Sequence, residues 1–229
     1  MKLMFVEARY NNPVFIGKHV LKLPEKIGLV TTVQFIGQIK KIKSELEKKG
    51  RKVFLGKGKH TKYNGQVLGC DVQAAVSVEK KVDAFFYIGS GLFHPTAISL
   101  KTKKDVFTFN PLTNKFNKMD KNQAEKINKK NKGALIKFLS SKEIGVIVTT
   151  KPGQEQLKKA LGLKNKFKDK NFYFLIFDTI DFGQLENFPF IECFVNTACP
   201  RIALDDSIKI SKAIINLEDI TKIIIKRGH

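Results

Sequence analysis

Three thiols carry the most distinctive chemistry available to this chain: Cys70, Cys193 and Cys199. A lone cysteine is most often a small buried hydrophobe. Cys193 fits that role, inside the apolar run Cys193-Phe194-Val195. Cys70 follows Gly69 and Cys199 precedes Pro200, at loop edges where a thiolate can point outward. No C-x-x-C pair occurs, which argues against a zinc knuckle or a thioredoxin-type dithiol. Thiolates far apart in sequence can still converge on a metal cluster, as the ligands of iron–sulfur centres do.

Two other stretches could meet a ligand. "IGSGLFHP", residues 88–95, contributes Gly89 and Gly91, which let backbone approach a ligand closely. No third glycine stands at the fingerprint spacing, so a standard dinucleotide site is rejected. His94 could donate a hydrogen bond to a ligand, although a loop histidine bonded to backbone is the plainer reading. "TTKPGQ", residues 149–154, could present backbone N–H groups to a carboxylate or phosphate, or could be a simple strand-to-helix turn. It lacks the Gly-Lys-Thr ending of a P-loop, which leaves nucleotide triphosphate hydrolysis unsupported.

The elements around these residues alternate. Residues 25–34 read as a buried strand running into a Thr-Thr turn. Phe35, Ile36, Ile39, Ile42 and Leu46 follow at helical spacing, and Gly50 supplies a stop. Residues 52–56 form a second strand, and 56–69 a Gly-rich loop leading to Cys70. "CDVQAAVSVEKK" predicts a helix, "VDAFFYIG" a third strand, "SGLFHP" a loop, and "TAISLKTKK" and "DVFTFNP" a further helix and strand.

The pattern then restarts. "KEIGVIVTTKPGQ" echoes "EKIGLVTTVQ", "FYFLIFD" is again a second strand, and "IECFVNTACP" echoes "VDAFFYIGSG". The two Ile-Gly starts, at 27 and 144, lie 117 residues apart, and the acidic-gap-Phe starts, at 83 and 192, lie 109 apart. Two similar offsets argue for an internal duplication. The expected fold is therefore α/β, two tandem related units, each a small parallel sheet flanked by helices. We expect residues 1–20 to be a linker, 21–115 the first unit and 116–229 the second. In open parallel sheets ligands bind beyond the carboxyl ends of the strands. The Thr-Thr turns, "GSGLFHP" and "NTACPRIALDD" all follow strands, so each belongs to such a rim in its own unit.

Composition bounds the rest. The chain of 229 residues is 42% hydrophobic and 28% charged, as in a folded soluble protein. No apolar run approaches the ~20 residues of a membrane span. The start lacks the features of a signal peptide, and sparse cysteine argues against a disulfide framework. The expected compartment is the cytoplasm, without membrane association. A net charge of +21 points to an acidic partner, but the richness in Lys, Asn, Ile and Phe reads equally as a composition bias. The densest run, residues 114–138, is expected to be a solvated helix face and linker ahead of an RNA contact, and specific nucleic-acid binding is not expected.

"GQVLGCDVQAA", "VDAFFYIGSGLFHP", "TTKPGQ" and "FVNTACPRIALDD" together resemble, in order, segments of the diphthamide-biosynthesis family, the 2-(3-amino-3-carboxypropyl)histidine synthases. "IGLVTTVQ" resembles that family's central domain, and the likeness runs from about residue 25 to 219. It implies a [4Fe–4S] cluster held by one cysteine from each of three repeated α/β units. S-adenosylmethionine would bind the open iron. A 3-amino-3-carboxypropyl group would pass, by an atypical radical route, to a histidine of translation elongation factor 2. On this likeness Cys70 matches the middle-unit ligand and Cys199 the last-unit ligand. Pro200 would fix the chain's exit, and Arg201 and Asp205 would fasten the loop or meet ligand; a loop-bracing salt bridge serves as well. The first unit and its cysteine are missing, and "MKLMFVEARYNNP" resembles only that unit's tail. A partner chain could supply them, Cys193 could substitute as third ligand, or the chain could be a cluster-free accessory or scaffold subunit. The two-chain assembly ranks first. Gln34, Gly89, Gly91, His94 and Gln154 are expected to contact S-adenosylmethionine, on rim placement and family likeness.

Overall fold

The computed structural model of the chain describes residues 4, 6–204 and 210–221. The chain divides into two compact units, Met1–Glu125 and Lys126–His229.

The first unit is built on strands β1 (Lys26–Thr31), β2 (Lys52–Phe54), β3 (Ala84–Ile88), β4 (Asp105–Asn110) and β5 (Lys115–Lys118). Their order in the sheet is β2-β1-β3-β4-β5. The first four run parallel, and β5 returns antiparallel along β4. The sheet is covered on both faces, which is why β1 and β3 are apolar runs rather than alternating ones. Phe86 and Ile88 enter one core with Ile27, Leu29, Phe35 and Ile42. Phe85 and Tyr87 enter the opposite core with Val30, Val67 and Ile98. Helix α1 (Ile39–Lys48) follows a 3-10 turn over Val33–Gln38 and buries Ile39, Ile42 and Leu46, with its lysines toward solvent. Gly50 ends it at φ +78°, a conformation that only glycine adopts without strain.

Two expectations are corrected here. The helix expected from Cys70 to Lys81 is a single turn, α2 (Gln73–Val76), with a 3-10 turn over Glu79–Lys81. Ser77 donates its hydroxyl to the Ala74 carbonyl, and the β-branched Val76 and Val78 flank it, so the helix stops early. Phe93, His94 and Pro95 belong to the first turn of α3 (Phe93–Lys101) rather than to a loop, since proline needs no N–H partner there. Beyond β4, Asn114 at φ +52° turns the chain back, which pairs Lys115 with Asn110 and begins β5.

The 20-residue α4 (Lys121–Ser140), the expected solvated helix, begins at the end of the first unit and continues into the second, where it sets Ala134 and Phe138 into the core. Strands β6 (Glu143–Thr149), β7 (Asn171–Phe177), β8 (Cys193–Asn196) and β9 (Ala213–Asn216) then form an all-parallel sheet in the order β7-β6-β8-β9. Helix α5 (Leu157–Lys166) connects β6 to β7, and α6 (Arg201–Leu204) follows β8.

The duplication read from the sequence has a physical basis. With β6 to β9 set against β1 to β4, the strand orders coincide. Gly28 faces Phe85 across the first sheet, and Gly145 faces Phe194 across the second. A Cβ on Gly28 would lie 2.5 Å from the Phe85 ring, and one on Gly145 would lie 2.6 Å from the Phe194 ring. Each glycine thus leaves room for a phenyl ring laid over the neighbouring strand. The acidic residue before each Phe also has one job in both units. Asp83 accepts from the Lys26 N–H at 3.1 Å, and Glu192 accepts from the N–H groups of Lys142 at 2.6 Å and Glu143 at 3.0 Å. These carboxylates satisfy donors at the start of the neighbouring strand.

Candidate functional site

Most candidate residues sit in the segments that follow strands, while His94 lies in the first turn of α3 and Cys193 within β8 itself. In the first unit the loop after β2 returns beside the end of β1. Thr31 donates its N–H to Gly65 O, and Val67 N–H donates back to Thr31 O, both at 2.8 Å. Leu68 and Asp71 then exchange backbone hydrogen bonds of 2.9 and 3.1 Å, closing a tight turn with Cys70 exposed in it. Asp71 is buried and anchors both sides of that turn. Its Oδ2 accepts from His60 N at 2.6 Å and its Oδ1 from Gln73 N at 2.9 Å. Beside the thiol, Gly69 lies under the Phe93 ring, where a Cβ would come within 1.9 Å of the ring edge. The Cys70 turn therefore packs against the start of α3.

Gly89, Gly91 and His94 lie on that same side. Gly89 donates its N–H to Phe109 O at 3.0 Å, and a Cβ there would lie 2.5 Å from the Tyr87 hydroxyl. Gly91 sits at φ +72° with open space around it. The His94 ring stacks on Tyr87 at 5.9 Å, with Nδ1 3.4 Å from the phenol oxygen. Burial pushes the Tyr87 phenol well above its ordinary value, so its proton stays on. Gln34 lies in the 3-10 turn after β1, and its carbonyl accepts from Tyr10 N at 2.7 Å.

In the second unit Cys199 is half-buried in the loop between β8 and α6. Two buried amides hold that loop. Asn196 Nδ2 donates to the Cys199 carbonyl at 2.9 Å and to Asn216 Oδ1 at 2.7 Å, while Asn196 Oδ1 accepts from Ala198 N at 3.1 Å. Asn216 Nδ2 donates to the Pro200 carbonyl at 3.3 Å. Thr197 adds bonds from its N–H and hydroxyl to Ile147 O, at 3.0 and 2.8 Å. Arg201 begins α6 on the surface, and Asp205 lies outside the described residues. Gln154 is exposed in the turn after β6, donating its N–H to Lys151 O at 3.1 Å.

Cys193 differs from the other two thiols. It is fully buried, pairs with Ile144 and occupies the register position of Ala84 in the first sheet. Burial pushes its thiol up to about 12, against partial relief from Lys137 and Lys170. Cys70 and Cys199 are not in matching positions, since one follows the first unit's second strand and the other the second unit's third. Among the described residues no group of three or more His, Cys, Asp or Glu side chains could hold a metal ion. The donor type nevertheless suits an iron–sulfur cluster, because Cys70 and Cys199 are thiols on strand-end loops. Asp71, Asn196, Asn216 and Tyr87 escaped the sequence reading. The only signal for the first two was their closeness to a loop cysteine.

Residues 1–226 match the family of putative diphthamide synthesis proteins. The chain belongs to the diphthamide-synthesis family. Among its relatives, the 2-(3-amino-3-carboxypropyl)histidine synthase of Pyrococcus horikoshii is 35% identical over 208 residues, covering 90% of this chain and 58% of the relative. The synthase of Methanocaldococcus jannaschii is 34% identical over 161 residues, covering 67% of this chain and 44% of the relative. The crystal structure of Dph2 from Pyrococcus horikoshii with a 4Fe-4S cluster matches at a TM-score of 0.75 and 32% identity, covering 88% of this chain and 58% of that one. The chain thus spans 58% of the Pyrococcus horikoshii synthase and 44% of the Methanocaldococcus jannaschii one. The α/β architecture of two helix-flanked parallel sheets is the one shared with Dph2.

Proposed function

We propose that the chain takes part in transfer of a 3-amino-3-carboxypropyl group from S-adenosylmethionine to a histidine of translation elongation factor 2, the first step of diphthamide biosynthesis. The observation that carries this reading is the solved relative with a 4Fe-4S cluster, matched over 88% of this chain. Cys70 and Cys199 would hold the cluster, each from its own unit. When bound, the cluster supplies the electron that cleaves the sulfonium bond of S-adenosylmethionine.

The chain's own residues bind and orient. Open space at Gly91 supports close approach of ligand to backbone, and His94, braced on Tyr87, is suited to a polar contact. Gln34, Gly89 and Gln154 complete the proposed contacts for S-adenosylmethionine. The third thiolate comes from outside these 229 residues, as a first unit supplied by a partner. Burial and a raised thiol pKa argue against Cys193 in that role. Among the described residues no helix is long and apolar enough to cross a membrane, and we place the reaction in the cytoplasm.

One exposed and one half-buried thiol, with the third buried, favour one alternative, a cluster-free accessory subunit. The deciding experiment follows label from the aminocarboxypropyl carbons of S-adenosylmethionine under dithionite, with elongation factor 2 and the complex captured anaerobically on this chain. Label on a histidine of the factor, lost with Cys70→Ala, supports the synthase. Unchanged label in that variant supports the accessory role.

A further inference from the structure

We infer that Asn196 and Asn216 are positioning residues for Cys199, fixing the direction in which its thiol leaves the second sheet. The inference rests on the proposed ligand role of Cys199. A side-chain amide offers donors and an acceptor at once, and here that capacity is spent around one residue. Asn196 closes a turn on itself by accepting from Ala198 N, two residues on. The same amide donates to the Cys199 carbonyl and to Asn216 Oδ1. Asn216, the last residue of β9, then donates to the Pro200 carbonyl. The peptide oxygens of Cys199 and Pro200 are thus both tied to side chains that are 2% and 8% exposed. Opening either bond would leave a buried amide group unpaired, which makes the arrangement stiff. The two asparagines themselves face each other in register across β8 and β9, so the sheet sets their separation. Pro200, with its fixed φ, leaves the loop little freedom downstream.

The test separates positioning from general stability and does not require iron. Cys199 and Cys70 are alkylated with iodoacetamide in the folded, iron-free chain, and each rate is read by peptide mass spectrometry. Cys70, in the other unit, is the internal reference. Asn196→Ala and Asn216→Ala should each change the Cys199 rate relative to Cys70 by between about twofold and tenfold, as expected for one or two lost hydrogen bonds. Thr197→Val removes the hydroxyl bond to Ile147 but leaves both amides in place, and the ratio should stay near wild type. Should Asn196→Ala fail to fold, Asn216→Ala decides alone, since it truncates only the end of an outer strand. An unchanged ratio in the asparagine variants, or an equal change in Thr197→Val, overturns the inference. Iron content of the reconstituted complex is measured alongside. If wild type takes up no iron while the alkylation ratio still shifts, the ligand reading fails and the clamp stands as a loop device.

Discussion

Cys193 takes, in the second sheet, the place that Ala84 takes in the first, and its sulfur behaves as a small apolar group in a dry core. Its thiol titrates from an ordinary 9.0 when exposed to about 12 when folded. The proton is held more tightly in the folded chain, so the associated stability is complete below pH 9.0 and is lost as pH rises toward 12. We expect alkylating reagent at pH 8 to modify Cys70 and Cys199 and to reach Cys193 only in denaturant. Cys193→Ala should cost about 1 kcal/mol at neutral pH, for one lost buried heavy atom, and should flatten the alkaline decline of the urea midpoint. A Cys193 as reactive as Cys199 in the folded chain would contradict its burial. At this scale the sequence was informative where neighbours decide the environment: "CFV" marks an interior strand, and glycine or proline marks a loop thiol. Asn196 and Asn216 were silent because their partnership spans two strands and depends on register, which local spacing does not carry.

Among the elements, the repeated Ile-Gly and acidic-gap-Phe signals proved to be two ends of one contact. A glycine on the central strand receives the phenyl ring of the next strand, and a carboxylate one step before that ring's strand ties off the central strand's first N–H groups. Gly28→Ala and Gly145→Ala should therefore each destabilise their own unit by about 1–3 kcal/mol through overpacking, read from denaturant midpoints. Variants as stable as wild type would mean that the ring does not occupy that space. Glu192 makes a separate prediction. Hydrogen bonds from the Glu143 and Lys142 N–H groups, with Lys137 nearby, hold its carboxyl below the ordinary 4.5. The charged form is thus favoured by folding. Its contribution is complete above pH 4.5 and is lost as pH falls through the lower folded value. Glu192→Gln should weaken the second unit at pH 7 and reduce its sensitivity to acid below pH 4.5; an unchanged acid profile would remove Glu192 from that role. Periodicity made the parallel strands legible, since a strand covered on both faces is a continuous apolar run. It could not find β5, whose Lys115-Phe116-Asn117-Lys118 is polar and gains its structure from pairing with β4. Nor did it find that α2 ends after one turn, because the β-branched valines and the Ser77 hydroxyl weaken a helix locally without changing its hydrophobic period.

For the whole molecule, the order of four motifs along the chain was enough to suggest the family, and the match over residues 1–226 agrees. Strand-end placement was also legible, because parallel sheets put their loops where ligands bind. The bracing of each cysteine was not, since it comes from tertiary contacts: Asp71 with His60 on one side, paired amides on the other. The chain spans 58% of the Pyrococcus horikoshii synthase, and the proposed function draws its third thiolate from outside these 229 residues. The most direct test is iron and acid-labile sulfide after anaerobic reconstitution of the full chain, supplied in trans with the part of that relative it does not cover. We predict close to four irons per complex for the wild type and for Cys193→Ala, as befits a [4Fe–4S] cluster, and loss of the cluster with either Cys70→Ala or Cys199→Ala. Full iron in both of the latter variants would contradict the assignment of these two sulfurs.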